Sequence, residues 1–211
     1  MPLRLLIATT NAGKLADFQS AAEEFPVRIE SLPALKTIPA PEEDGETFEE
    51  NAAIKALYYS RFSPDEIVLA DDSGLEVDAL EGAPGVRSAR FAADSGLIDS
   101  PDANDNTDVW NNMVLLQKLN GVPTEERTAR YRCVLVAARN GEVIATSSGS
   151  VEGLILEAPH GTGGFGYDPL FYLLGMDQTM ADLDPAVKFS LSHRGRAFDE
   201  LLPMLLQGTS E

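Results

Sequence analysis

Residues 3–25 read LRLLIATTNAGKLADFQSAAEEF, and the order of element types inside that stretch decides the fold class. Leu3 to Ala8 is a short apolar run of the kind that forms a buried strand. Thr9 to Lys14 is a polar turn containing a glycine. Leu15, Phe18, Ala21, Ala22 and Phe25 then recur at helical spacing. The chain therefore opens strand, polar turn, helix.

Working outward, residues 26–45 are rich in proline and acid, and Pro33, Pro39 and Pro41 interrupt any long element. Thr47 and Glu50 have capping-box spacing at the head of a second helix that runs to about Arg61. Ile67 to Ala70 reads as a short buried strand, Asp71-Asp72-Ser73-Gly74 as its end, and Leu75 to Leu80 as a further strand-like run. Gly82-Ala83-Pro84-Gly85 is a turn. Residues 94–108 carry Asp94, Asp99, Asp102, Asp105 and Asp108 and read as a solvated loop leading to a helix over Val109–Leu119. Arg127 to Ala138 and Glu142 to Gly153 are two long strands, and Asn140-Gly141 between them is a hairpin turn signal. A last helix starts after Ser192 and meets Pro203, which should kink or end it. Strands alternating with helices, plus a long hairpin, give a mixed α/β fold in a single domain over residues 1–211. A cleft between the sheet and a smaller lobe is the natural place for a ligand.

Composition narrows the class. The 211 residues are 44% apolar and 24% charged, ordinary values for a globular protein. No apolar run approaches the ~20 residues of a membrane helix, and the N-terminus lacks the apolar core of a signal peptide. The expectation is a cytoplasmic protein without a membrane partner. Cys133 is the only cysteine, so no intrachain disulfide can form, and its apolar surroundings read as structural. The formal net charge of −18 repels nucleic acid. It also opposes a polyanionic ligand, unless cations cluster locally or carboxylates hold a divalent metal.

Five groups of residues carry candidate chemistry. Thr9, Thr10, Asn11, Ala12, Gly13 and Lys14 lie between strand and helix, where hydroxyls, backbone N–H groups and a lysine can hold phosphate. The same residues also suit an ordinary capped turn. They are not a Walker A loop, because Ala8 stands where the first glycine would be and Leu15 follows Lys14. Glu42, Glu43, Asp44, Asp71 and Asp72 offer the oxygen ligands magnesium prefers. Side chains of adjacent strand residues point to opposite faces, so Asp71 and Asp72 enter one site together only if the strand has already ended. In Gly163-Gly164-Phe165-Gly166-Tyr167-Asp168-Pro169, glycines permit close backbone approach and Phe165 offers a stacking face. A tight loop with a core aromatic is the plainer reading. Lys188 precedes Ser192-His193-Arg194, a possible reader of an anion or a base. Lys55 falls on the second helix, where it serves equally as a surface lysine. His160, in a turn beside Pro159, is assigned no role.

Six segments resemble, in order, the inosine/xanthosine triphosphate pyrophosphatase family. They are Thr10-Asn11-Ala12-Gly13-Lys14, Thr47-Phe48-Glu49-Glu50-Asn51-Ala52, Ala70-Asp71-Asp72-Ser73-Gly74-Leu75, Gly82-Ala83-Pro84-Gly85, Gly164-Phe165-Gly166-Tyr167-Asp168-Pro169-Leu170-Phe171 and Ser192-His193-Arg194-Gly195. The resemblance covers about Leu5 to Leu202. It implies a long twisted sheet flanked by helices, two lobes with the active site in the cleft between them, and a homodimer. It implies Mg²⁺-dependent hydrolysis of dITP/ITP and XTP to a monophosphate and pyrophosphate. Thr9 to Lys14 would bind the triphosphate. Glu42 would be the metal glutamate, ahead of Glu43, and Asp72 the catalytic base and metal partner. Ser73 would contact substrate, and Phe165, Gly166, Tyr167, Asp168, Lys188, His193 and Arg194 would bind the nucleotide; Lys55, a substrate-binding candidate apart from the resemblance, would offset charge on the triphosphate. The stretch from Phe91 to Trp110 is longer and more acidic than the family pattern, and it lies outside all six motifs. A Maf-like pyrophosphatase acting on modified pyrimidines or dTTP and UTP is the nearest alternative, against which His193-Arg194 argues. A P-loop enzyme lacks its motif here, and a sensor without turnover leaves Asp72 unexplained.

Overall fold

The computed structural model describes residues 2–23, 25–97 and 107–207. Asp99, Asp102 and Asp105 of the acidic stretch lie outside the described residues. The fold is mixed α/β. Its strands are β1 (Leu3–Ile7), β2 (Val27–Ser31), β3 (Ile67–Val77), β4 (Thr128–Arg139), β5 (Glu142–Ile155), β6 (Phe171–Leu173) and β7 (Gln178–Thr179). They form one sheet in the order β2-β1-β3-β4-β5-β6-β7. Six helices accompany them among the described residues: α1 (Ala12–Ala21), α2 (Phe48–Ser60), α3 (Phe91–Ser95), α4 (Thr107–Lys118), α5 (Pro185–Leu191) and α6 (His193–Gln207). None is long and apolar enough to cross a membrane.

The chain divides into two compact units. The first contains Met1–Asp72, Cys133–Ser150 and Phe189–Glu211; the second contains Ser73–Arg132 and Val151–Lys188. In the first unit β1 pairs in parallel with both β2 and β3. A strand flanked that way is covered on both faces, which is why Leu5, Leu6 and Ile7 are all apolar and buried. Strand alternation sends Leu5 and Ile7, with Leu69 and Leu135, against Phe18 of α1 and Phe198 and Leu201 of α6. Leu6 and Val68 face the other way, onto Leu32 and Tyr59 of α2. The core of the second unit gathers Leu75, Leu115, Leu119, Tyr131, Val151, Tyr167 and Phe171.

Local signals explain most element boundaries. Asn11 accepts a hydrogen bond from Lys14 N and caps α1, so that helix begins three residues earlier than apolar spacing alone places it. Thr47 and Glu50 form the expected reciprocal capping box on α2. Asn140 and Gly141 both have positive φ, 50° and 80°, as a two-residue turn matched to strand twist requires.

Two expectations are corrected. β3 does not end at Asp71; it runs unbroken from Ile67 to Val77. The polar run Asp71-Asp72-Ser73 stays in the strand because each carboxylate meets a cation there. Gly74 within it packs so close to Gly85 O and Ser88 Oγ that an added Cβ would lie 2.4 Å from each. α6, expected to kink or end at Pro203, does not end there but continues to Gln207. Leu201, Leu202 and Leu205 are buried on one side, while Pro203 and Asp199 face solvent. Water can therefore satisfy the Asp199 carbonyl that proline leaves without its helical partner.

Candidate active site

In the first unit the turn from β1 to α1 opens a pocket of about 410 Å³, lined by Thr9, Thr10, Asn11 and Ala12, by Ser31 at the end of β2, and by Leu32, Ala34, Leu35 and Lys36 after it. Thr9 Oγ1 accepts from Asn11 N at 3.2 Å, which tightens the turn. Gly13 is exposed in the first turn of α1. Lys14 points elsewhere, to Asp71, with Nζ 2.7 Å from Oδ2.

Continuity of β3 puts Asp71 and Asp72 on opposite faces, and the two carboxylates meet different cations. The Asp71 side chain is 4% exposed, and its Oδ2 meets both Lys14 and Arg194, with Arg194 Nε 3.8 Å away. Burial alone would raise its pKa, but Lys14, Arg194 and Lys55 together hold it far below the usual carboxylate range. Asp72 Oδ1 lies 2.8 Å from Lys55 Nζ, which also lies 2.8 Å from Glu43 Oε2. Burial dominates at Asp72 and raises its pKa; Lys55 opposes the shift, and Glu43 and Asp71 add to it. Its second oxygen, Oδ2, is buried with no hydrogen-bond partner among the described residues. Ser73 follows on β3, half-buried.

Helix α2 delivers this arrangement. Its capping box fixes the N-terminus, and Asn51 binds the backbone of Gly45 at both N–H (2.9 Å) and C=O (3.3 Å). The acidic segment carrying Glu43 is thereby tied to the helix that carries Lys55. Glu43, ranked second from sequence, is the glutamate in contact with Lys55, while Glu42 is exposed.

Helix α6 opens with His193 and Arg194, both buried. Arg194 Nη1 reaches Asp17 Oδ2 of α1 at 3.2 Å, and its Nε approaches Asp71. Close packing of β5 on this helix start depends on Gly149, where a Cβ would sit 2.2 Å from His193 O. Asp17 was not legible as a site residue, although it lies three positions after Lys14 and so on the same side of α1.

The second unit holds the remaining candidates. Asp168 is buried and central: it accepts from Phe165 N (2.7 Å), Lys188 Nζ (2.6 Å) and, at 3.4 Å, the Tyr131 hydroxyl. Burial and the Asp168 charge hold the Tyr131 hydroxyl protonated, its pKa well above the usual value. Gly164, with φ of 74°, makes room for that carboxylate. Lys188 Nζ lies 4.7 Å from the centroid of the half-buried Phe165 ring, in cation–π range. Tyr167 is anchored by its hydroxyl to Ser88 O at 2.8 Å. Gly166 is held by α4: its N–H donates to Asp108 (2.7 Å) and its C=O accepts from Asn112 (3.0 Å). The acidic stretch thus does reach a motif, since Asp108 belongs to the first turn of α4 and not to a solvated loop. Nothing in local spacing announces Tyr131, Asp108 or Asn112.

Lys14, Lys55 and Arg194 face four carboxylates in the first unit, Asp17, Asp71, Asp72 and Glu43. That cluster alone cannot neutralise a triphosphate. Among the described residues no three His, Cys, Asp or Glu side chains are grouped to hold a metal. An ion that takes one or two carboxylates and completes its shell with water and phosphate still fits Asp72, whose Oδ2 lacks a donor.

Comparison with known sequences and structures is consistent across nearly the whole chain. The Ham1 family profile matches residues 5–204. A dITP/XTP pyrophosphatase of Acidobacterium capsulatum is 53% identical over 205 residues, 97% of this chain and 99% of that one. The Ham1 protein of Staphylococcus aureus superposes with a TM-score of 0.79 at 35% identity, over 98% of this chain and 100% of the other. A HAM1 protein from Coxiella burnetii gives 0.80 at 34% identity, over 98% and 99%.

Proposed function

The chain belongs to the Ham1 family, and from that premise we propose that it hydrolyses nonstandard purine nucleoside triphosphates, dITP/ITP and XTP, to the monophosphate and pyrophosphate with Mg²⁺. The observation that carries the reading is Asp72: a half-buried carboxylate of raised proton affinity, with one oxygen on Lys55 and the other buried without a donor among the described residues. A general base works best when its pKa moves toward the operating pH, and burial moves Asp72 in that direction.

Asp72 accepts the proton of the water that attacks the α-phosphorus. Lys55 holds Asp72 in place and, with Lys14, offsets charge on the triphosphate and the departing pyrophosphate. Thr9, Thr10, Asn11, Ala12 and Gly13 supply hydroxyl and backbone donors at the head of α1. Asp72, with Glu42 or Glu43, would hold Mg²⁺, which when bound would add charge neutralisation and make a bound water more acidic. Ser73 lies beside Asp72 as a substrate contact.

For the base, Phe165 provides the stacking face, and Gly166, Tyr167, Asp168 and Lys188 build the surface around it. Arg194, with His193, donates to the 6-keto oxygen of hypoxanthine or xanthine. Adenine presents an amino donor there, and leaving buried donors unpaired discriminates by up to ~10⁴-fold. The reading further takes the protein to be a cytoplasmic homodimer, which sedimentation velocity can measure.

The test is incubation with dITP, XTP, dGTP, ATP, dTTP and UTP, with and without Mg²⁺, scoring pyrophosphate against orthophosphate. The expected result is Mg²⁺-dependent pyrophosphate release from dITP and XTP. Orthophosphate as the first product, or preference for dTTP or UTP, would overturn the reading.

A further inference from the structure

Gly166 lies between the two aromatic residues of its loop, has φ of 65°, and is gripped through both of its backbone polar groups by a single helix. Asp108 and Asn112 are four residues apart on α4, so their side chains emerge on one face one turn apart. Asp108 Oδ2 takes the Gly166 N–H at 2.7 Å in a charge-assisted hydrogen bond. Asn112 Nδ2 gives its hydrogen to Gly166 O at 3.0 Å.

We propose that Asp108 and Asn112 are positioning residues for the nucleobase: they clamp Gly166 and thereby set the Phe165 ring and the Asp168 carboxylate in the geometry that receives the base. The proposal rests on the reading of Phe165 to Asp168 as the base-binding loop.

Three features separate the clamp from ordinary loop packing. Glycine in the left-handed region has wide conformational freedom, so this is the loop position most in need of external restraint. The flanking residues are fixed by other means, Tyr167 through Ser88 and Phe165 N through Asp168, which leaves Gly166 as the joint between them. Asn112 also carries a cost. Its Oδ1 is buried with no hydrogen-bond partner among the described residues. An unpaired buried acceptor lowers stability, a cost that leucine would avoid only by taking the donor away from Gly166 O.

The experiment compares Asp108→Ala, Asp108→Asn and Asn112→Leu with the full-length wild type, measuring kcat and KM for dITP with Mg²⁺ and inhibition by inorganic tripolyphosphate. Asp108→Ala and Asn112→Leu should each raise KM about tenfold with kcat within about threefold, the pattern of lost binding common to ground and transition states. Their inhibition by tripolyphosphate, which has no base, should be unchanged. Asp108→Asn keeps an acceptor for Gly166 N–H and should recover most of the KM; a charge acting only on the α4 dipole would be lost equally in both Asp108 variants. If Asp108→Ala fails to fold, Asn112→Leu carries the test, because it removes an orphaned acceptor. Unchanged KM values would overturn the clamp, as would kcat falling as far as kcat/KM or tripolyphosphate inhibition weakening in step with KM. Wild-type protein inert toward dITP would instead overturn the functional reading, and the clamp with it.

Discussion

Burial favours the protonated form of both Asp71 and Asp72, but the cations facing them differ. Asp71 has Lys14 and Arg194 close by and stays ionised far into acid. Asp72 has Lys55, shares it with Glu43, and binds a proton more readily than an ordinary carboxylate. The same side chain is therefore structural at one position and suited to chemistry at the next, and the two asparagine variants should separate these roles. Asp72→Asn should leave the urea midpoint nearly unchanged and lower kcat by at least about 100-fold, the usual contribution of a general base. Asp71→Asn leaves the half-buried Lys14 and the buried Arg194 short of their anion and should cost about 3 kcal/mol in urea unfolding. Equal effects of the two variants on stability would contradict the assignment. Cys133 makes a third case. Burial pushes its thiol up to about 12, so it should not react with Ellman's reagent at pH 8 in the native protein and should react once unfolded in guanidinium.

At the scale of elements, the site depends on how closely two backbones approach. His193 and Arg194 are where they are because α6 starts against β5 at Gly149. Its missing Cβ would fall 2.2 Å from His193 O and 2.6 Å from Ala197 N. Those are main-chain atoms, so alanine there must push the helix away instead of turning a side chain. Gly149→Ala should lower stability by about 1–3 kcal/mol, as overpacking does, and should raise KM by displacing Arg194. A variant with normal melting temperature and normal KM would show that α6 yields at no cost. Helix α2 works in the opposite sense, by attachment: its capping box and the Asn51 bonds to Gly45 carry Glu43 toward Lys55. Of these devices the capping box is visible as Thr47 and Glu50 at fixed spacing, whereas the need for Gly149 exists only once β5 and α6 are packed.

For the molecule as a whole, charge is the governing quantity. A net charge of −18 repels a nucleoside triphosphate at long range, and the named side chains around Asp72 do not reverse that sign locally. Screening should therefore help. With Mg²⁺ held saturating, kcat/KM for dITP should rise as KCl goes from about 20 to 150 mM, because the Debye length falls to about 8 Å. A fall would mean that local cations steer the substrate more strongly than the whole molecule repels it. The mixed α/β architecture was legible from element order because β1, α1, the α2 cap and the Asn140-Gly141 turn are each set by residues within a few positions of one another. The extent of β3 and of α6 was not. Asp71-Asp72-Ser73 resembles a strand end and Pro203 a helix stop until the partners that accommodate them are in place.

The amino-acid sequence determined the order of strands and helices, the caps and turns that bound them, and the residue types proposed for phosphate, base and metal. All of these follow from interactions between near neighbours along the chain. Only the tertiary structure decided that Asp71 is spent on Lys14 and Arg194 while Asp72 keeps an oxygen uncommitted, that Glu43 reaches Lys55, and that α4 holds Gly166. Those outcomes depend on charges and donors brought together from distant parts of the chain, and burial among them sets their strength.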